Sequence, residues 1–388
     1  MSTAQQRRAY TGPAILSHGF RPFFFFGAAW SALATPLWIW GLMGGPSVVG
    51  SLDWHVHEML FGFLPAIVAG FLTTAVPNWT GRMPVIGAPL GALWSLWLLG
   101  RAAMLLQPMI GVLAPLVDSL FLLTFSAVVW REVTAGRNWR NLPVCLMTSL
   151  LALANIAFHL DAALGLGGLG ARLAMAAASI LLALIGGRIT PSFTTNWLRQ
   201  RKAAVLPKTF STVDRLALTA TALAMVAWTL APRSPPVGVT LMIAGALCLY
   251  RLTRWCGLQT LTEPLLSILH LGHAWLGFGL GLLGASLVWP KTVPGPAGVH
   301  ALTAGAVGVT CLAVMSRASL GHCGRALTAD RTTVALFVAI NLAAVTRIIA
   351  ALTPAYAPPL WAAAALFWSL AYGGFALAYG PLLWRRRL

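Results

Sequence analysis

Long apolar stretches recur from one end of this chain to the other, and their length is what most constrains the fold. A helix crossing the hydrocarbon core needs roughly 20 mostly apolar residues. That ruler predicts twelve spans, at 22–43, 54–77, 88–106, 108–130, 141–163, 171–190, 213–231, 236–252, 264–289, 296–316, 331–353 and 359–384. The breaks between them carry Pro, Gly and charge, as in GGPSVVGSLD, NWTGRMPVIG, REVTAGRNWRN and KTVPGPAG. With 58% hydrophobic and 9% charged residues, the chain reads as an all-α, polytopic integral membrane protein with 12 transmembrane helices.

The net charge of +18 would suit a nucleic-acid binder, but its distribution excludes that partner. With a cytoplasmic N-terminus, 20 of the 26 Lys and Arg residues fall on the inner side, from Arg7, Arg8 and Arg21 to Arg385, Arg386 and Arg387. The outer loops keep only Arg172, Arg233 and Lys291, and Arg101, Arg188 and Arg347 lie within spans. This is the positive-inside pattern with both termini cytoplasmic and the lipid bilayer as partner. FRPFFFFGAAW leads straight into a full span without a small-residue cleavage site, so the first helix is its own insertion signal.

The domain expectation is one membrane domain over 1–388. Its halves are 1–190 and 213–388, joined by a basic cytoplasmic connection over 191–212. The five cysteines suggest no disulfide framework, and without a C-x-x-C-H motif any haem is held noncovalently.

Ionisable residues inside a membrane are costly and usually mark a site. His55 and His57 open the second span, His159 closes the fifth and His300 opens the tenth, all toward the outer side; His270, His273 and His322 lie toward the inner side. His55 and His57 are two apart and point about 200° away from each other on a helix, unless a non-helical start at an Asp53 N-cap brings them together. His270 with His273, and Asn155 with His159, share a helix face. Any one of these histidines has a structural reading as a hydrogen-bonded packing residue; all seven together do not.

A buried guanidinium needs an anion. Glu58 and Asp118 are the main carboxylates within spans, and both also suit a proton relay. An Arg101–Asp118 pair is the plain structural reading; haem propionates facing Arg101, Arg188 and Arg347 are the functional one. Imidazoles suit copper and haem iron, whereas hard ions want more carboxylates than this chain has.

The motifs GFRPFF, WHVHEMLFGF, AVPNWTG, NIAFH, GGRITPSFTTNW, HLGHAWLG, HALTAGAVG and MSRASLGHCGR, in this order along nearly the whole chain, resemble those of the NnrS family of bacterial inner-membrane proteins. The resemblance implies association with haem and copper, production with denitrification or nitric-oxide-response systems, and tolerance of nitrosative stress. It matches the family's motif histidines at His55, His57, His159, His270, His273, His300 and His322, and its motif arginines at Arg101, Arg188, Arg317 and Arg347.

The leading expectation is therefore a haem–copper protein that reduces nitric oxide or binds it protectively. The outer histidines are the first choice for a b-type haem, and the inner ones for copper or a second haem. No residue pattern identifies an electron donor. Twelve spans in two sixes also fit a secondary transporter, although mid-span polar residues are sparse, and the same ligands would serve a nitric oxide sensor or a metal-delivery factor.

Overall fold

The computed structural model describes residues 10–385. Arg7, Arg8, Arg386 and Arg387, part of the inner-side charge, lie outside the described residues. Among the described residues the chain is all-helical, and twelve helices are long and apolar enough to cross a membrane. We number them α1 (Phe20–Leu42), α2 (Leu52–Thr80), α3 (Ala88–Leu105), α4 (Leu113–Ala135), α5 (Trp139–Leu164), α6 (Leu169–Gln200), α7 (Thr212–Leu230), α8 (Pro235–Thr253), α9 (Pro264–Val288), α10 (Gly295–His322), α11 (Arg331–Leu352) and α12 (Pro354–Trp384).

Several boundaries differ from the hydropathy reading for local reasons. The fourth span starts at Leu113 rather than 108, because Gln107–Ile110 forms a turn of its own that closes at Gly111 with φ 55°. The sixth continues to Gln200 rather than stopping at 190. Its polar tail stays helical because Thr194 and Thr195 return their hydroxyls to the carbonyls of Thr190 and Pro191, at 2.9 and 2.7 Å. The tenth reaches His322, which is its last residue.

The helix starts carry their own chemistry. Ser51 caps α2 by accepting from the Trp54 N–H at 3.0 Å, and Asp53 lies in the first turn, not at the cap. A capping box joins Ser211 and Asp214 at the head of α7. Asp330 caps α11 through the Thr333 N–H at 2.7 Å.

Two compact units make up the chain. Unit 1 comprises residues 1–174, 318–326 and 372–388; unit 2 comprises 175–317 and 327–371. In unit 1, Phe20, Phe23 and Phe24 of GFRPFF are fully buried. Arg21 between them donates to the carbonyls of Leu383 and Arg385, at 2.7 and 2.6 Å, at the end of α12. These are C-terminal carbonyls that lack intrahelical partners, and a guanidinium also suits the negative end of the helix.

In unit 2, α8 and α9 touch backbone to backbone. A Cβ at Gly238 would stand 2.6 Å from the Gly284 carbonyl oxygen, and one at Gly245 2.5 Å from that of Gly277. Small residues at such contacts let helices approach where lipid offers no hydrophobic driving force.

Candidate metal centre

Three stretches widen from α- to π-helix: Glu58–Phe63 within α2, Leu182–Gly186 within α6 and Ala301–Gly308 within α10. Each adjoins residues singled out by the sequence, namely His57 and Glu58, Arg188, and His300. Such widened turns frequently mark functional sites.

The first turns of α2 are regular, so His55 and His57 diverge as their spacing requires. His55 stacks on Trp38, with ring centroids 4.0 Å apart and an interplanar angle of 17°. His57 is fully buried in unit 1, where side chains from α1 to α5 meet.

Its Nδ1 faces Glu58 Oε1 at 3.0 Å and its Nε2 faces Asp118 Oδ2 at 2.9 Å. Glu58 Oε2 accepts from Trp30 Nε1 at 2.6 Å and from an Arg101 terminal nitrogen at 2.5 Å; the other terminal nitrogen of Arg101 donates to Asp118 Oδ1. Asp118 Oδ2 also meets His159 Nε2 at 2.9 Å and accepts from Asn155 Nδ2 at 2.8 Å. Ser119 in turn donates to Asn155 Oδ1 at 3.0 Å.

Two close approaches make this packing feasible. Gly100 lets α3 lie against α4: a Cβ there would be 3.0 Å from Asp118 Oδ1. Gly62, inside the π turn, lets Arg101 reach Glu58, since a Cβ would stand 2.6 Å from both the Arg101 nitrogen and Glu58 Oε2. The Gly62 carbonyl is taken by Trp97 Nε1 at 2.8 Å.

Glu58 and Asp118 bring two negative charges and Arg101 one positive. With both ring nitrogens aimed at carboxylates, His57 carries a proton on each and balances the remainder. A cation held by neutral imidazoles is the other species that answers this negative charge, a divalent one leaving a net single positive charge, and the donors suit one. One ligand atom each from His57, Asp118 and His159 lies within 4.8 Å of the others. His57 with Glu58 then has the geometry in which a carboxylate orients a metal-binding imidazole.

The remaining histidines are placed differently. In unit 2, the Thr194 hydroxyl donates to Thr190, so it accepts from His270 Nε2 at 2.9 Å. That fixes the ring proton on Nε2 and leaves Nδ1 a bare lone pair, buried without a hydrogen-bond partner, as is His273 Nε2. Trp255 packs against both rings, with centroids 6.4 Å from His270 and 4.5 Å from His273. A Cβ at Gly257 would stand 2.8 Å from His270 Nδ1, so only glycine leaves that atom uncovered. Buried imidazole nitrogens without partners fit a noncovalent haem or a copper ion.

His300, also in unit 2, meets the Pro296 carbonyl through Nδ1 at 2.7 Å. His322, in unit 1, lies beside Phe20 at 5.5 Å. Arg188 is half-buried just after the π turn of α6, and the Arg347 guanidinium sits 5.5 Å from the Trp361 ring centre.

A family sequence model described as NnrS protein matches residues 14–387. The chain belongs to the NnrS family. Among curated proteins none matches it. NnrS membership indicates a protein of the nitric oxide response, in a chain whose twelve apolar helices make it a multi-pass membrane protein.

Sequence reasoning reached five members of the NnrS cluster, His57, Glu58, Arg101, Asp118 and His159, and linked Asn155 to His159. It missed Trp30, Gly62, Trp97, Ser119, Thr194, Trp255 and Gly257. Of these, only Gly62 carried a signal, as a glycine one turn after Glu58 inside an otherwise bulky motif.

Proposed function

We propose that this chain binds a b-type haem and copper in the bacterial inner membrane and acts on nitric oxide, by reduction or by protective binding, in denitrification and nitrosative-stress response. The observation that carries the reading is the buried group of two imidazoles and a carboxylate, with donor atoms within 4.8 Å, in a chain of the NnrS family.

The assignments follow from the surroundings of each side chain and from the family motifs. His270 and His273, each with a buried ring nitrogen that has no hydrogen-bond partner, are the proposed haem or copper ligands of unit 2. The unit 1 cluster, tightly bonded on every side, suits a single ion rather than a haem plane. Arg101 holds Glu58 and Asp118 there; Arg188 and Arg347, motif arginines within spans, are the other proposed partners of propionates. His55, His300 and His322 stay in the ligand set as motif residues.

A bound iron or copper supplies the affinity for nitric oxide and the capacity for electron transfer. The chain's own residues supply the route for protons: without an ion in the cluster, Glu58, His57, Asp118 and His159 are joined by hydrogen bonds of 2.9–3.0 Å without a gap, and with one bound the step between Glu58 and His57 Nδ1 remains. The concentration of basic residues on one side supports an orientation with both termini cytoplasmic.

The test is a visible spectrum of the purified protein, oxidised, reduced and exposed to nitric oxide, together with metal analysis. A b-type haem spectrum that shifts with nitric oxide, plus copper in the protein, is expected. Consumption of nitric oxide beyond the metal present, with an artificial electron donor, assigns reduction; stoichiometric uptake assigns protective binding. Protein without haem or copper overturns the proposal.

A further inference from the structure

We infer that His57, Asp118 and His159 form a two-histidine, one-carboxylate site for a non-haem ferrous ion, which takes nitric oxide directly at its open positions. This rests on the reading of the chain as a nitric-oxide-handling protein, and it adds a metal of a different class to haem and copper.

The separations between donors are the first argument. His57 Nε2 and His159 Nε2 each stand 2.9 Å from Asp118 Oδ2. An ion with bonds of about 2.1 Å holds neighbouring ligands about 3.0 Å apart when they meet at right angles, and about 3.4 Å apart when they are tetrahedral. Both edges through Asp118 therefore match right-angled placement of each imidazole beside the carboxylate, and the third edge, between the two imidazoles, is within 4.8 Å. An ion enters by displacing the ring protons that point at Asp118 Oδ2.

The surroundings define one ligating atom on two of the three residues. Arg101 occupies Asp118 Oδ1, so the carboxylate offers Oδ2 alone. Glu58 engages His57 Nδ1 and thereby presents Nε2. Asn155, itself held by Ser119, braces Asp118 Oδ2. Orientation by such outer partners typically changes metal affinity 10- to 100-fold.

The donor set selects the ion. It has neither thiolate nor thioether, the ligands that favour cuprous copper. Two imidazoles and a carboxylate with open cis positions are the arrangement of non-haem ferrous sites. Three protein ligands leave half of an octahedron free for small molecules. Burial of His57 and Asp118 keeps the ion out of bulk water, and the close packing of the cluster restricts the positions not taken by protein to a small neutral ligand such as nitric oxide.

The experiment uses the full-length protein, purified anaerobically in detergent and offered ferrous iron and copper in separate arms, with nitric oxide as the probe. Chemical iron analysis in excess of haem, and a quartet-spin ferrous nitrosyl signal by electron paramagnetic resonance, distinct from the doublet of haem nitrosyl, are expected. His159→Gln should remove the quartet signal and at least about 90% of the non-haem iron while leaving the haem signal in place. Glu58→Gln should weaken iron binding roughly 10- to 100-fold. Should His159→Gln not fold, nitrogen hyperfine coupling from two imidazoles on the wild-type quartet signal carries the same information.

A cupric signal that disappears in His159→Gln, with no non-haem iron in either arm, overturns the ferrous assignment and leaves the proposed function standing. Absence of any ion at the cluster, with haem still binding nitric oxide, makes the cluster a closed ion-pair network and overturns the site. Absence of nitric oxide binding at every metal, haem included, overturns the proposed function itself.

Discussion

His57 on α2 and Asp118 on α4, 61 residues apart in the chain, face each other at 2.9 Å, Nε2 to Oδ2, in the interior of unit 1. Such a pair is a poor source of net stability, because desolvating two charged groups costs as much as their attraction returns. Breaking it is another matter, since one charge is then left alone in a low dielectric. Each substitution in the cluster therefore reads out the role of the residue removed.

Arg101 joins the two carboxylates from one side as His57 does from the other, and it is the cation there that cannot give up its charge. Arg101→Ala should destabilise the protein by about 3–5 kcal/mol, the usual cost of stranding a buried charge. Arg101→Lys keeps the charge but cannot reach Glu58 and Asp118 with a planar fork, so it should recover only part of that loss. The fraction folded across a detergent-denaturation series, compared among the three proteins, checks both outcomes.

Gly62 is the steric condition for that clamp. Gly62→Ala would place a Cβ 2.6 Å from both the Arg101 nitrogen and Glu58 Oε2. The overpacking should cost about 1–3 kcal/mol, and metal content should fall with the displaced Glu58. Gly281, where an added Cβ would meet nothing within 4 Å, is the control position: Gly281→Ala should leave stability and metal content close to wild type.

The arrangement of the spans was legible in the sequence because apolar length is a local property, and the twelve helices fall where that length places them. The opposite headings of His55 and His57 were legible for the same reason, as was the shared face of Asn155 and His159. Both Asn155 and His159 bond to Asp118 Oδ2. What periodicity could not supply was the convergence of α2, α3 and α5 on Asp118 of α4, since this depends on close approaches at Gly62 and Gly100. The helical continuation of α6 to Gln200 was hidden as well, because hydropathy scores a threonine hydroxyl as polar whether or not it is bonded to its own helix.

Arg21 joins the first motif of the chain to the end of its last helix. Arg21→Ala should leave the carbonyls of Leu383 and Arg385 without this donor and cost about 3–6 kcal/mol, since hydrogen bonds to charged groups contribute about 1.5–3 kcal/mol each. Proteolysis of the C-terminal end of α12 should accelerate in the variant, and an unchanged digestion pattern would remove the capping role.

Asp330 provides a pH-dependent end to α11. Its bond from the Thr333 N–H holds the carboxyl below the ordinary carboxylate range. A lowered folded value means that the contribution is complete above the ordinary range near pH 3.9 and is lost as pH falls through the folded value. Asp330→Ala should remove about 1 kcal/mol from the helix start at neutral pH, whereas Asp330→Asn should keep most of it. Protection of the first amides of α11 against hydrogen exchange, taken relative to the unstructured rate at each pH from neutral to acidic, should fall in the wild type and stay flat in Asp330→Ala.

The proposed proton route makes the most specific demand on Glu58, which is bonded at once to Trp30, His57 and Arg101. Glu58→Gln preserves size and the bond from Trp30 but removes the negative charge that faces Arg101 and the site to which a proton can move. If Glu58 lies on the route, the variant should retain haem, whose proposed ligands are in unit 2, and should consume nitric oxide about 10²–10⁴-fold more slowly with an artificial donor, the usual contribution of positioned acid–base groups. Consumption must be normalised to the metal retained, because Glu58 also orients His57 and its loss should weaken binding of the unit 1 ion. A normalised rate that falls with Glu58→Gln assigns proton transfer; one that stays at the wild-type value confines Glu58 to orienting His57 and removes it from the route.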